Sequence, residues 1–150
     1  ENVKVHVEQV LRRGRTLEEK LPAYYTLVQT TGCEANMSAG FNVATAVLGQ
    51  LGESFPLTVT ESDVQQELLK TQGLLLNKPE DKLLELETMK EGRKREAMRF
   101  LYLLLIYAYT MRGQFAMVSC RMMQLSLQYG VCMESALACA SYGVLLCGMA

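Results

Sequence analysis

The sequence predicts an all-α protein, a stack of antiparallel helix pairs with seven to eight helices in its 150 residues. Three observations predict this fold. Apolar residues recur every three to four positions along most of the chain, which is the period of an α-helix. Glycine or proline closes most of these segments. The last third of the chain contains three apolar helical segments in succession, and the third reaches residue 150 without a stop signal. We therefore expect residues 1–150 to be a helical repeat segment cut from a longer superhelical region.

Composition limits the classes of partner. Lys and Arg total 15 against 16 for Asp and Glu, and the net charge is -1. No global field therefore favours nucleic acid or an anionic membrane surface, and we expect neither as a partner. The length is about one domain's worth of chain, enough for one core or one short stack of layers.

The first third predicts a helical hairpin. The opening element is ambiguous, because Val3, Val5 and Val7 alternate with polar residues and fit a strand as well as a helix. Thr16 and Glu19 have the spacing of a capping box and predict a helix that ends at Gly32. A second helix begins near Met37 and ends at Gly52.

The middle third predicts two further helices and a loop. Thr60 with Asp63 can cap a helix over residues 61–76, and Pro79 begins a short helix. The segment 89–94 is interpreted as a charged loop that contains a glycine. Its basic residues alternate with glutamates, which favours a solvated mixed-charge face over a phosphate site.

The last third carries the candidate site. Residues 97–111 are apolar nearly all round, so this helix must be covered on several sides. The next helix, Gln114–Tyr129, ends at Gly130, and a final helix begins near residues 133–135. One polar stripe runs along Gln114–Tyr129 and is the face that we expect to meet water or a partner. It consists of Gln114, Arg121, Gln124 and Gln128.

The cysteines indicate buried, reduced thiols, and a redox-sensitive surface thiol is the alternative. They lack a CxxC pair and have only His6 as a histidine companion, so a structural zinc site is disfavoured. An odd number of thiols without a signal peptide suggests a cytoplasmic setting. The five cysteines are Cys33, Cys120, Cys132, Cys139 and Cys147.

Two apolar runs raise the question of a membrane. Residues 100–111 and 135–150 are twelve and sixteen residues long, whereas a spanning helix takes about 20. The first is too short. The second cannot be decided from its length, but its Ser, Cys, Ala and Gly content fits close helix packing, and we expect a core helix.

No residue set indicates catalysis. The chain has no nucleophile elbow to join His6 and no glycine-rich phosphate loop, so we expect no catalytic, cofactor-binding or metal-binding residues. Met122 and Met123, beside the polar stripe, could contact a peptide, although a flexible apolar core is the favoured interpretation of the methionines.

Several blocks of the chain carry a family resemblance: Arg15–Lys20, Val47–Pro56, Leu83–Leu86 with Met89, Glu96–Leu101, Met122–Gly130, Glu134–Ala136 and Ser141–Gly143. These blocks resemble the helical repeat region of very large signalling ATPases. In that family a tetratricopeptide-type superhelix follows an AAA-type (STAND-like) ATPase module, often with a protein-kinase-like domain before it and GAF plus histidine-kinase or nucleotide-cyclase domains after it. No clean 34-residue period emerges here, so the resemblance implies a tetratricopeptide-like α-solenoid and not a consensus array.

Two functions are carried forward. The first is a non-catalytic scaffold whose surface makes protein contacts, with other domains of a parent chain or with a signalling partner. The second is a sensor that binds a small molecule or effector in a pocket between the apolar helix of residues 97–111 and its methionine-rich neighbour. A large closed pocket would favour the sensor, and a packed core with shallow grooves would favour the scaffold.

Overall fold

The computed structural model describes residues 2–33, 37–56, 58–109 and 113–148. These ranges contain eight helices and no β-strand, which confirms the prediction of an all-helical chain with seven to eight helices. The chain divides into two compact units, residues 1–54 and 55–150. The helices are α1 (Asn2–Arg13), α2 (Leu17–Cys33), α3 (Met37–Gln50), α4 (Glu61–Leu76), α5 (Glu80–Leu84), α6 (Gly92–Ala108), α7 (Gln114–Tyr129) and α8 (Ser135–Gly148).

The first unit consists of α1, α2 and α3, with α2 packed against both of the others. The ambiguous first element is a helix. The predicted cap of α2 forms in part, because the Glu19 N–H donates to Thr16 Oγ1 at 3.3 Å. The Glu19 carboxylate accepts instead from the Arg15 N–H, at 2.8 Å. The cap thus still pairs two free donors at the start of the helix.

The second unit is organised around α7, which packs against α4, α6 and α8. Helix α4 begins with the predicted capping box: Thr60 Oγ1 accepts from the Asp63 N–H at 3.2 Å, and Asp63 Oδ2 accepts from the Thr60 N–H at 2.8 Å. Hydrogen bonds from Thr60 lower the pKa of Asp63 below its usual value. Helix α7 occupies the predicted residues.

Helix α6 begins earlier than predicted. Residues 92–94, which we expected in a loop, form its first turn, and the Arg95 N–H donates to the Glu91 carbonyl at 3.0 Å. Arg and Lys are good helix formers, so this charged run extends the helix. Farther along, Phe100 and Leu104 are fully buried, whereas Ile106 is exposed. The helix is therefore covered on most sides, as its composition predicts.

Helix α8 has one buried side and one exposed side. The buried residues are Ser135, Ala138, Ser141 and Tyr142, and Val144 and Leu146 are exposed. Ser141 faces the interior and donates to the Ala138 carbonyl of its own helix at 3.1 Å. The Tyr142 ring packs in the core against Leu68 and Cys120. On the outer side Val144 is 59% exposed. Helix α8 is therefore a core helix on one side only, and its outward side exposes apolar residues.

One parallel β-bridge joins the segment before α6 to the residue after Gly130. The Met89 N–H donates to the Val131 carbonyl, and the Val131 N–H donates to the Glu87 carbonyl, both at 2.8 Å. Gly130 makes this approach possible: its φ is 99°, and a Cβ there would clash with the Glu87 carbonyl oxygen. Only glycine fits such a position without strain.

None of the helices in the described ranges is both long enough and apolar enough to cross a lipid bilayer.

Candidate interaction surfaces

The predicted polar stripe of α7 is divided between the interior and the surface. Gln128 is exposed and Gln114 and Arg121 are half-buried, but Gln124 is only 2% exposed. The expectation that the whole stripe faces water is therefore wrong for Gln124. The physical reason is that α4 lies along this side of α7 and offers polar groups that satisfy the buried amide.

The buried part of the stripe forms a polar cluster with α4. Gln124 Nε2 donates to Glu67 Oε2 at 2.6 Å and to Thr71 Oγ1 at 3.0 Å. Arg121 Nη2 lies 3.8 Å from Glu67 Oε1, and its guanidinium lies over the Phe55 ring at 5.3 Å from the centroid. The hydrogen bonds and the ion pair join α4 to α7, and the cation–π contact joins α7 to the segment before α4. The cluster therefore fixes how α4 and α7 pair. It presents no nucleophile to a cleft.

Cys120 lies beside this cluster and is fully buried. Burial raises the pKa of its thiol to about 11, more than the hydrogen bond with Thr71 lowers it. A thiol with so high a pKa is a poor nucleophile at neutral pH. Cys120 is therefore a packing residue, as expected for the cysteines.

The other thiols depart from that expectation. Cys139 and Cys147 are exposed on α8, and Cys132 is half-buried with its pKa raised by burial. The side chain of Cys33 lies outside the described residues. Within the described ranges the four remaining cysteines are free, and no group of three His, Cys, Asp or Glu residues is placed to hold a metal ion.

Gln128 belongs to a separate surface, an open cleft of about 400 Å³ beside the β-bridge. Within it Lys90 Nζ lies 2.6 Å from Glu87 Oε2, and this contact lowers the pKa of Glu87 and raises that of Lys90. The Lys94 ammonium lies 5.0 Å from the centroid of the Tyr129 ring. The cleft is lined by Lys78, Leu86, Glu87, Thr88, Lys90, Glu91, Leu127, Gln128, Tyr129 and Gly130.

The outward face of α8 is a third surface, and it is apolar. Val144 and Leu146 are two positions apart and lie on opposite edges of it, and both exposed cysteines lie between them around the helix. The helix carries no charged residue from Ser135 to Gly148. Contiguous exposed apolar patches, and not single exposed residues, mark surfaces that contact protein. The uncharged outward side of α8 is a candidate for such a surface.

His6, the single histidine, lines another cleft, in the first unit. This cleft has about 390 Å³ and lies between α1 and α2, with Val7, Val10 and Pro22 among its lining. Its lining is mostly apolar, and the hydroxyl of Thr26, which also lines it, donates to the Pro22 carbonyl at 3.0 Å.

The pocket that the sensor hypothesis requires would lie between α6 and α7. Phe100 and Leu104 of α6 and Met122 of α7 each have no accessible surface. A cavity wide enough for water would leave accessible surface on the side chains that line it, so these three line none. Met122 is thus unavailable to a peptide, and only the half-buried Met123 keeps a surface position.

Comparisons of the chain with protein-family models, with curated proteins and with solved structures gave no match.

Proposed function

We propose that the chain is a non-catalytic helical scaffold that binds other proteins through its outward faces. On this proposal it is a tetratricopeptide-like α-solenoid segment of a large cytoplasmic signalling ATPase of the AAA/STAND type. Its contacts are with other domains of that parent chain or with a signalling partner. The resemblance of its sequence blocks to that family is what suggests the parent.

The observation that carries the proposal is the orientation of α8. The helix packs Tyr142 in the core and buries Ser141, but it leaves Val144 and Leu146 exposed, and water alone would favour burial of these two apolar side chains. Exposing a large apolar side chain leaves unrealised the stabilisation of about 1.5–3 kcal/mol that its burial gives. A protein partner that covers this face would recover it.

The packing of the second unit favours the scaffold over the sensor. Where the sensor needs a ligand pocket, Phe100, Leu104 and Met122 are in full contact with protein. The clefts at the β-bridge and between α1 and α2 are open to solvent, whereas small-molecule sites bury most of their ligand.

Photo-crosslinking tests this proposal. Benzoylphenylalanine at position 144 should give covalent adducts with protein in the cells that make the chain. The same group at Gln66, an exposed polar position of α4, serves as the matched control and should give few. Equal adducts at both positions, or none at 144, would contradict the scaffold. A rise in melting temperature with a single metabolite from a small-molecule panel would favour the sensor.

A further inference from the structure

The segment from Leu86 to Glu91 has a free strand edge. The Glu87 carbonyl and the Met89 N–H bond to Val131. In an extended chain the residue between two such groups directs its own N–H and C=O to the opposite edge. Thr88 is that residue. It is exposed, and its backbone N–H and C=O bond to no other residue in the described part of the chain.

This edge is fixed in place by the fold. Met89 is 1% exposed and anchors the segment in the core. Gly130 gives Val131 its close approach, since any side chain at 130 would meet the Glu87 carbonyl. A ligand therefore meets a backbone segment that the bridge already holds at Thr88, and binding does not have to order it.

Thr88 lines the open cleft, and this cleft suits a ligand that forms hydrogen bonds better than a ligand with a net charge. Its lining contains two lysines and two glutamates, whose charges cancel. Lys90 and Glu87 already pair with each other. The exposed amide of Gln128 adds one donor group and one acceptor to the same cleft.

We propose that this cleft binds an extended segment of a partner protein, which pairs with the Thr88 edge as an added β-strand. A free N–H and C=O on one residue match the backbone of an extended chain. A helix cannot pair there, because its own ladder uses its backbone groups. Nucleic acid would require a net positive lining. The inference rests on the proposed function for the class of partner, a protein.

The test is a matched pair of substitutions at one position. Thr88→Pro removes the free N–H and leaves both bonds to Val131, which use Glu87 and Met89; proline is tolerated on the edge of a strand. Thr88→Val keeps the N–H and replaces only the hydroxyl. Both variants should melt within a few degrees of the wild type, which shows that the bridge is intact.

The probe is a library of random heptapeptides displayed on phage, selected on the wild-type chain. The enriched peptide is then synthesised with a fluorophore, and its Kd is measured by anisotropy. We expect equal Kd values for the wild type and Thr88→Val and a Kd about tenfold higher for Thr88→Pro, the effect of losing one backbone hydrogen bond. A version of the peptide with alternate amides N-methylated should bind at least tenfold more weakly.

Three outcomes would overturn the strand-edge site. These are no enriched peptide, equal binding by Thr88→Pro, and equal binding of the N-methylated peptide. Each would leave the crosslinking result at position 144 unchanged, so failure of this site is distinguishable from failure of the scaffold. A peptide whose binding is lost on substitution of Val144 and Leu146, but not of Thr88, would place the contact on α8 instead.

Discussion

Helices α6 and α8 both look like core helices in the sequence, yet they use their apolar residues in opposite ways. Helix α6 fully buries Phe100 and Leu104, whereas α8 buries Ser141 and leaves Val144 59% exposed. Serine can face the interior because it donates to the carbonyl of its own helix. The difference teaches that an uncharged helix is not necessarily a core helix. Which side is covered depends on how its neighbours approach.

The largest effect expected from this comparison is on stability. Leu104→Asp places an unpaired charge where nothing is accessible to water, and it should cost several kcal/mol and unfold the second unit. Val144→Asp, the matched change on α8, should alter the free energy of unfolding by no more than about 0.5 kcal/mol. Urea denaturation followed by circular dichroism measures both. Similar losses in the two variants would break the distinction between α6 and α8.

Replacing glycine with alanine should lower the free energy of unfolding at the β-bridge and raise it inside α8. Gly130→Ala forces a side chain into a left-handed conformation against the Glu87 oxygen and should cost about 1–3 kcal/mol from the backbone alone. Gly143→Ala lies inside α8, with nothing within 4 Å of its Cβ, and should stabilise by about 0.5–1 kcal/mol. Melting temperatures of the two variants decide the signs. A stabilising Gly130→Ala would show that the β-bridge does not form as described.

The polar stripe of α7 contains one buried and one exposed glutamine, Gln124 and Gln128, so the comparison can be made within one helix. Gln124→Ala removes the donor to Glu67 and Thr71 and should cost about 1–3 kcal/mol, because a buried acceptor loses its partner. Gln128→Ala, in the open cleft, should stay within about 0.5 kcal/mol of the wild type. Chemical denaturation of this pair provides the comparison. Equal stabilities would mean that water reaches the α4–α7 cluster.

The smallest expected effect is tested on the wild-type chain by chemical labelling of its thiols. At pH 8, iodoacetamide should alkylate the exposed thiols Cys139 and Cys147 of α8 within minutes, and Cys120 only after unfolding. Burial raises the Cys120 pKa to about 11, so its thiolate is scarce below that pH. The raised pKa also means that the contribution of this thiol to stability is lost as the pH rises from about 9 through 11. Peptide mass mapping would detect rapid native labelling of Cys120, which would place it at the surface.

Local signals predicted much of the helical framework. The Thr60–Asp63 box and Gly130 each mark a helix end that the structure reproduces, and the periodic segment from Gln114 to Tyr129 is one helix. Such signals involve residues three or four positions apart, so the sequence contains them directly.

The surfaces were harder to predict because they depend on pairing between distant elements. Spacing showed that Gln124 lies on the polar side of α7, but not that Glu67 and Thr71 would cover it. Those two residues are four apart on α4, and this was the one available sign of a second polar stripe. The Thr88 edge likewise exists only because Val131 returns beside it.

The outward face of α8 is tested most directly by the double variant Val144→Lys/Leu146→Lys. Its free energy of unfolding and the size of its native complex should be measured side by side, in the cells that make the chain. We expect stability within about 1 kcal/mol of the wild type and loss of the larger complex, seen as a shift to the free chain on size exclusion. A variant that keeps the complex, or that unfolds, would contradict the claim that this face serves protein contacts and not the fold.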